Sequence, residues 1–170
     1  MKVSNSLVEW RWPVFALGVS LAMLGAAHAF ETFGNMFPCE LCLRQREVYW
    51  AAVSMIATGL ILSRLRTGRR FMVALNVLIG MVFITSAIVA AYHVAVEFGW
   101  IQSGCSGKPI DPSEIDLSNL NKPMAVGNCG EVPWSMLGIS MAGWNALISI
   151  GLAVTSFYAA RLTQIQGREN

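Results

Sequence analysis

Four cysteines, one couple close in sequence and one distant, are the residues of this 170-residue chain best suited to chemistry. Cys39 and Cys42 stand in the run FPCELCLRQR over residues 37–46, at the C-x-x-C spacing that lets two thiols open and close a disulfide. Cys105 and Cys129 lie together in the longest polar stretch. Four cysteines allow three pairings. Local spacing favours Cys39 with Cys42, which leaves Cys105 with Cys129, and two dithiol couples on one small chain suggest an electron relay. Zinc is the main inorganic alternative for a C-x-x-C. The second couple lacks that spacing, however, and neither His28 nor His93 stands at ligand spacing beside a cysteine, so no metal is expected. No Cys-His follows the C-x-x-C, and haem attachment is not indicated.

The surroundings of the inner couple favour a thiolate. Cys39 and Cys42 open an apolar run that reads as a helix, whose free amides and positive dipole end stabilise negative sulfur. Arg44 and Arg46 add positive charge within a turn. Arg44 reads as a snorkelling side chain at a helix end. Arg46, at i+4 from Cys42 and so on the same face, is placed to stabilise a thiolate and polarise a carbonyl oxygen of a bound carrier. His93 and Glu97 lie one turn apart near the end of a later apolar run, where ionisable groups are costly and face the interior. His93 either bonds a neighbouring helix or serves a reduced carrier as a proton or hydrogen-bond donor. His28 receives no role.

For Cys105 and Cys129 two readings stand side by side. A structural staple closing a loop of this size restricts the unfolded chain by roughly 3–4 kcal/mol in the chain-entropy account. A redox couple is the other reading. The neighbours Ser103-Gly104-Cys105-Ser106-Gly107 and Gly127-Asn128-Cys129-Gly130 read as flexible and unobstructed, which suits sulfurs open to attack by another protein's thiolate.

The elements that must position these groups are membrane helices. Hydrophobic residues make up 55% of the chain and charged residues 13%, with a mean hydropathy of +0.53. That is about half the charged share of a soluble domain. Four stretches, about 13–30, 43–62, 71–97 and 136–158, are apolar enough to cross a hydrocarbon core of about 30 Å as helices of about 20 residues. Pro13 suits the first turn of the first. The expectation is an all-α, polytopic four-helix bundle in one membrane domain over 1–170. The net charge of +2 gives no reason to expect a nucleic-acid partner.

Between the second and third stretches lies Ser63-Arg64-Leu65-Arg66-Thr67-Gly68-Arg69-Arg70, a turn with four arginines and no acid, which the positive-inside rule places in the cytoplasm. Both termini then face the cytoplasm, and the segments at 31–42 and 99–135 face outward with all four cysteines. The outer loop 99–135 carries Lys108 and Lys122 against Asp111, Glu114, Asp116 and Glu131. Its middle, with Ile115, Leu117, Leu120 and Met124, reads equally as a short surface helix or as plain loop. Ala27-His28-Ala29 also resembles a signal-peptide cleavage site, though the apolar stretch before it is long for one.

Taken together, these residues resemble the disulfide bond formation protein B (DsbB) family. The resemblance rests on Cys-x-x-Cys followed by Arg46, on Tyr92-His93 late in the third helix, on a two-cysteine outer loop, and on the run CGEVPWSMLGISMAGWN over 129–145. The sequence between Cys105 and Cys129 is distinctive. The resemblance implies a bacterial inner-membrane bundle that reoxidises a periplasmic DsbA-like thiol oxidase and passes the electrons to quinone, either ubiquinone or menaquinone. The DsbA–DsbB–quinone system is what keeps the bacterial periplasm oxidising. Carried onto this chain, Cys105 is the sulfur attacked by the partner and Cys129 then attacks Cys39. Cys42 lies against the quinone ring, with Arg46 and His93 at its oxygens.

Two other readings compete. A vitamin-K-epoxide-reductase-like protein uses similar chemistry, but there the C-x-x-C follows the loop cysteines, and here it precedes them. A membrane scaffold with purely structural disulfides is the non-enzymatic alternative.

Overall fold

The computed structural model describes residues 3–65, 68–102, 105 and 127–165. Four helices account for most of them: α1 (Val3–Gly34), α2 (Glu40–Leu65), α3 (Arg69–Glu97) and α4 (Met141–Ile165). Each contains a stretch long and apolar enough to cross a membrane, beginning in α1 at Trp10. The molecule is a four-helix membrane bundle. The region expected to hold a surface helix, around residues 115–124, lies outside the described residues.

Two expectations about helix bounds are corrected. Pro13 lies inside α1, not in its first turn, because the helix already begins at Val3. Residues 136–140, apolar enough to be read as part of the fourth span, form a hairpin instead. Its strands β1 (Ser135–Met136) and β2 (Ile139–Ser140) pair antiparallel. Leu137 and Gly138 turn between them with φ of 56° and 77°. Two successive left-handed residues make the tight turn whose twist matches paired strands, so helix α4 starts only at Met141.

The bundle is apolar on its outside as well as within. Large apolar side chains such as Phe15, Ile61, Ile88 and Val154 face outward, where lipid tails solvate them as well as a core would. The interior combines large apolar side chains, Ile56, Leu75, Ile79 and Phe83 among them, with small and hydroxylic ones such as Ala16, Ser20, Ala52, Ser86, Ser149 and Ser156. Small residues let the helix backbones approach. At Gly80 of α3 a Cβ would sit 2.8 Å from the Phe157 ring of α4, so this contact between the most extensively packed pair of helices needs glycine. Hydroxyls tie the elements across the bundle, as where Trp12 Nε1 donates to Ser156 Oγ at 3.1 Å.

Neighbouring helices run antiparallel, which brings the end of α1, the start of α2, the end of α3 and the start of α4 to one end. The end of α2 and the start of α3 lie at the opposite end, where the Arg64 guanidinium lies 4.8 Å from the centre of the Trp10 ring. Two helix ends are set by local chemistry. Helix α3 stops where Gly99, at φ 70°, lets Trp100 N–H return to Ala95 O at 2.9 Å. Helix α4 is capped by Ser140, whose Oγ accepts the Gly143 N–H at 3.1 Å.

Candidate active site

Cys39 is the N-cap of α2. Its carbonyl accepts from Leu43 N at 3.1 Å and its sulfur from Cys42 N at 3.2 Å. The two residues between the thiols complete the first helical turn, and Cys39 Sγ donates to Cys42 Sγ at 2.7 Å. Both thiols are free. The Cys39 thiol is held above the ordinary thiol range, first by its hydrogen bond to Cys42 and then by burial.

Cys105 and Cys129 form a disulfide, with Cα atoms 5.7 Å apart. Cys129 is wholly buried, packed in one cluster with Cys39 and Val96 and bordered by Leu41, Cys42 and Cys105. The expectation of two unobstructed loop sulfurs is therefore corrected: Cys105 is half-buried and Cys129 has no exposure at all. What buries it is a parallel bridge between Cys39 and Gly127. A Cβ at Gly127 would stand 2.7 Å from Phe37 O, so glycine alone lets the two backbones lie this close.

A cavity of about 450 Å³ adjoins the inner couple. This falls within the ~300–1,000 Å³ of small-molecule sites. Its apolar walls include Met23, Leu24, Phe30, Met141, Trp144 and Ile148, and its polar end holds Cys39, Cys42, Gln45, Arg46, His93 and Glu97. Trp134, leading into the hairpin, packs on Phe30 of α1 with ring centres 5.1 Å apart. A second groove, lined by Ile84, Ile88, Ile150 and Phe157, is apolar throughout and carries none of these groups.

Arg46 and His93 both reach this polar end, each with a partner that sequence reasoning missed. The Arg46 guanidinium, one turn beyond Cys42, pairs with Glu31 of α1 at 2.5 Å and donates to Ala27 O at 3.0 Å. His93 is buried, with Nε2 3.7 Å from Cys39 Sγ and Nδ1 2.7 Å from Gln45 Nε2. Gln45 Oε1 accepts from Asn145 Nδ2 at 2.5 Å, and Asn145 Oδ1 accepts from the Tyr49 hydroxyl at 2.7 Å. Glu97 accepts from Ser140 Oγ at 2.5 Å and stands 3.9 Å from His93 Nε2. A polar residue inside an apolar span was the available signal for Gln45 and Asn145. Nothing in the order of residues pairs either with His93. Arg44 stays at the surface beside Glu47, and His28 is 3.9 Å from Glu31.

The sulfurs of Cys39 and Cys42 and a nitrogen of His93 all lie within 4.8 Å of one another. The fold thus removes the ground on which zinc was set aside, since a histidine does stand beside the C-x-x-C. A metal-bound imidazole offers its free nitrogen's N–H to an acceptor. Here Nδ1 meets the amide nitrogen of Gln45, itself a donor. The arrangement fits thiol chemistry better than metal ligation.

Fold and site define a polytopic membrane protein with a dithiol and a disulfide packed together beside a cavity. The family described as disulfide bond formation protein DsbB matches residues 9–159, and the chain belongs to that family. Among curated relatives, the disulfide bond formation protein B of Nitrosospira multiformis is 27% identical across 96% of this chain and 99% of its own length. Its namesake in Nitrosococcus oceani is 29% identical across 87% and 89%. That of Xanthomonas axonopodis pv. citri is 31% identical across 72% and 73%. No solved structure matches the chain.

Proposed function

We propose that this protein is a thiol oxidase of the bacterial inner membrane. It reoxidises a periplasmic DsbA-like dithiol protein and passes the electrons through Cys105–Cys129 and Cys39–Cys42 to ubiquinone or menaquinone. The observation that carries the reading is the packing of Cys129 on Cys39 at the edge of a cavity lined by Cys42, Arg46 and His93. A brace for a loop has no need of a second dithiol beside it, nor of a cavity at that dithiol.

The sulfur steps balance as exchanges. A thiolate of the partner attacks Cys105 Sγ, breaking the Cys105–Cys129 bond and freeing Cys129. The partner's second thiolate then attacks the partner sulfur of that mixed disulfide, closing the partner's own disulfide and releasing Cys105 as a thiol. Cys129 attacks Cys39 of the oxidised inner couple, freeing Cys42. Attack by Cys105 on Cys129 restores the outer disulfide and leaves Cys39 and Cys42 as a dithiol. A quinone takes two electrons and two protons from that dithiol and leaves as quinol, while the Cys39–Cys42 bond reforms. Thiol–disulfide exchange needs an attacking thiolate and a reachable target sulfur. Cys105, the more exposed of the outer pair, suits the partner, and buried Cys129 suits the inward step.

The cavity suits a quinone ring on chemical grounds: apolar walls that include aromatic rings, and cationic or N–H donors at the end where carbonyl oxygens gain charge. Arg46 supplies the cation. His93 supplies the second donor. In the cell, the arginine turn would face the cytoplasm with both termini, and the four cysteines the periplasm.

The test is quinone reduction by the purified protein, driven by a reduced DsbA-like protein and followed by quinone absorbance. Cys42→Ser should abolish it while a mixed disulfide between Cys105 and the partner still forms. Normal turnover in that variant would overturn the proposal.

A further inference from the structure

The two ring nitrogens of His93 meet opposite kinds of hydrogen-bonding atom. Nδ1 faces the amide nitrogen of Gln45 at 2.7 Å, a group that can only donate. Nε2 faces acceptors: Cys39 Sγ at 3.7 Å and Glu97 Oε1 at 3.9 Å. Gln45 is not free to turn its amide round, because its oxygen already accepts from Asn145 Nδ2 at 2.5 Å. Asn145 is held in turn, its oxygen accepting from the Tyr49 hydroxyl at 2.7 Å and from Ser149 Oγ at 3.3 Å. All four side chains are buried, each less than a tenth exposed. In a low-dielectric interior a donor set against a donor is expensive, and a polar chain of this kind acts as one unit.

We infer that Gln45, Asn145 and Tyr49 are positioning residues that hold neutral His93 in its Nε2–H tautomer. The imidazole then presents a proton donor, not a lone pair, to the Cys39 sulfur and the cavity beside it. Reversing that tautomer requires both amides to rotate together and the Tyr49 and Ser149 hydroxyls to give up their acceptor on Asn145. Two consequences follow. The imidazole supports negative charge on Cys39 when its proton leaves, but it does not take that proton through Nε2. The same tautomer also keeps the Cys39, Cys42 and His93 cluster from ligating a metal, because a hydrogen occupies the nitrogen nearest the sulfurs.

The effect on turnover rests on the redox reading above, whereas the tautomer is read without any turnover. The full chain carrying His28→Gln, which leaves His93 as the only histidine, is labelled with 15N-histidine. It is studied in lipid nanodiscs with Cys39 and Cys42 reduced. The nitrogen shifts should show a protonated Nε2 and a bare Nδ1. Gln45→Glu sets an acceptor against Nδ1 and should draw a proton onto it. Tyr49→Phe removes the shorter of the two bonds that anchor Asn145, with little change of shape. It should give a mixture of tautomers and lower quinone reduction roughly tenfold, as expected for weakening one hydrogen bond to a charged group. A protonated Nδ1 in the native protein, or an Nε2–H form undiminished in both variants, would refute the inference. An Nε2–H tautomer in a protein that cannot reduce quinone would sustain it and reject the redox reading instead.

Discussion

Arg46 of α2 is fastened to Glu31 of α1, with the guanidinium and carboxylate 2.5 Å apart and a second guanidinium nitrogen donating to Ala27 O at 3.0 Å. The cation beside Cys42 is therefore not a mobile snorkelling group but a planar fork held at the cavity wall. Glu31→Gln removes the charge that orients it. The expected outcome is a several-fold rise in KM for quinone with a smaller change in kcat, read from steady-state quinone reduction. Arg46→Lys should not rescue function, because an ammonium cannot engage Glu31 and Ala27 with the same fixed geometry.

Gly127 is where the outer loop returns to the cysteines. Gly127→Ala places a methyl group 2.7 Å from Phe37 O as the backbone stands, so the bridge to Cys39 must open. Overpacking of this kind costs about 1–3 kcal/mol. Thermal unfolding should shift down accordingly. In a rapid-mixing and thiol-trapping experiment, electron passage from Cys105–Cys129 to Cys39–Cys42 should slow more than formation of the mixed disulfide at Cys105.

The Cys39 thiol lies above the usual thiol range because it donates to Cys42 and is buried. Thiolate is the reactive form, so in the reduced protein Cys39 should stay slow towards iodoacetamide at pH 8–9 and gain reactivity only at higher pH. In Cys42→Ala the thiol hydrogen bond is gone, while burial and the backbone N–H groups of residues 41 and 42 remain. The midpoint of the Cys39 alkylation profile should then move to lower pH, measured by mass spectrometry of the alkylated peptide. An unmoved or rising midpoint would contradict this.

Ser140 caps α4 and also donates to Glu97. Ser140→Ala should cost about 1 kcal/mol through the cap. It also leaves the buried Glu97 carboxylate short of a donor, so thermal stability should fall by more than the cap alone predicts. Ser140→Thr, which keeps the hydroxyl, should restore most of the loss.

Much of the architecture is legible before any coordinates. Apolar runs of the right length make four membrane helices, because a backbone in hydrocarbon must satisfy its own hydrogen bonds and a helix does so within one segment. The C-x-x-C couple is legible for a similarly local reason, since one helical turn brings Cys39 and Cys42 together. Arg46 follows from i+4 spacing. By contrast, the start of α4 was misplaced: residues 136–140 are as apolar as a helix, and only the left-handed pair Leu137–Gly138 makes them a hairpin.

What the chain encodes locally is thus its spans, its arginine turn and the inner dithiol. Tertiary structure alone decided the rest: that Cys129 is buried against Cys39, that Glu31 holds Arg46, and that Gln45, Asn145 and Tyr49 converge on His93. Those meetings join residues up to 100 positions apart. No periodicity records them, because each depends on the rotation and depth of helices packed against one another.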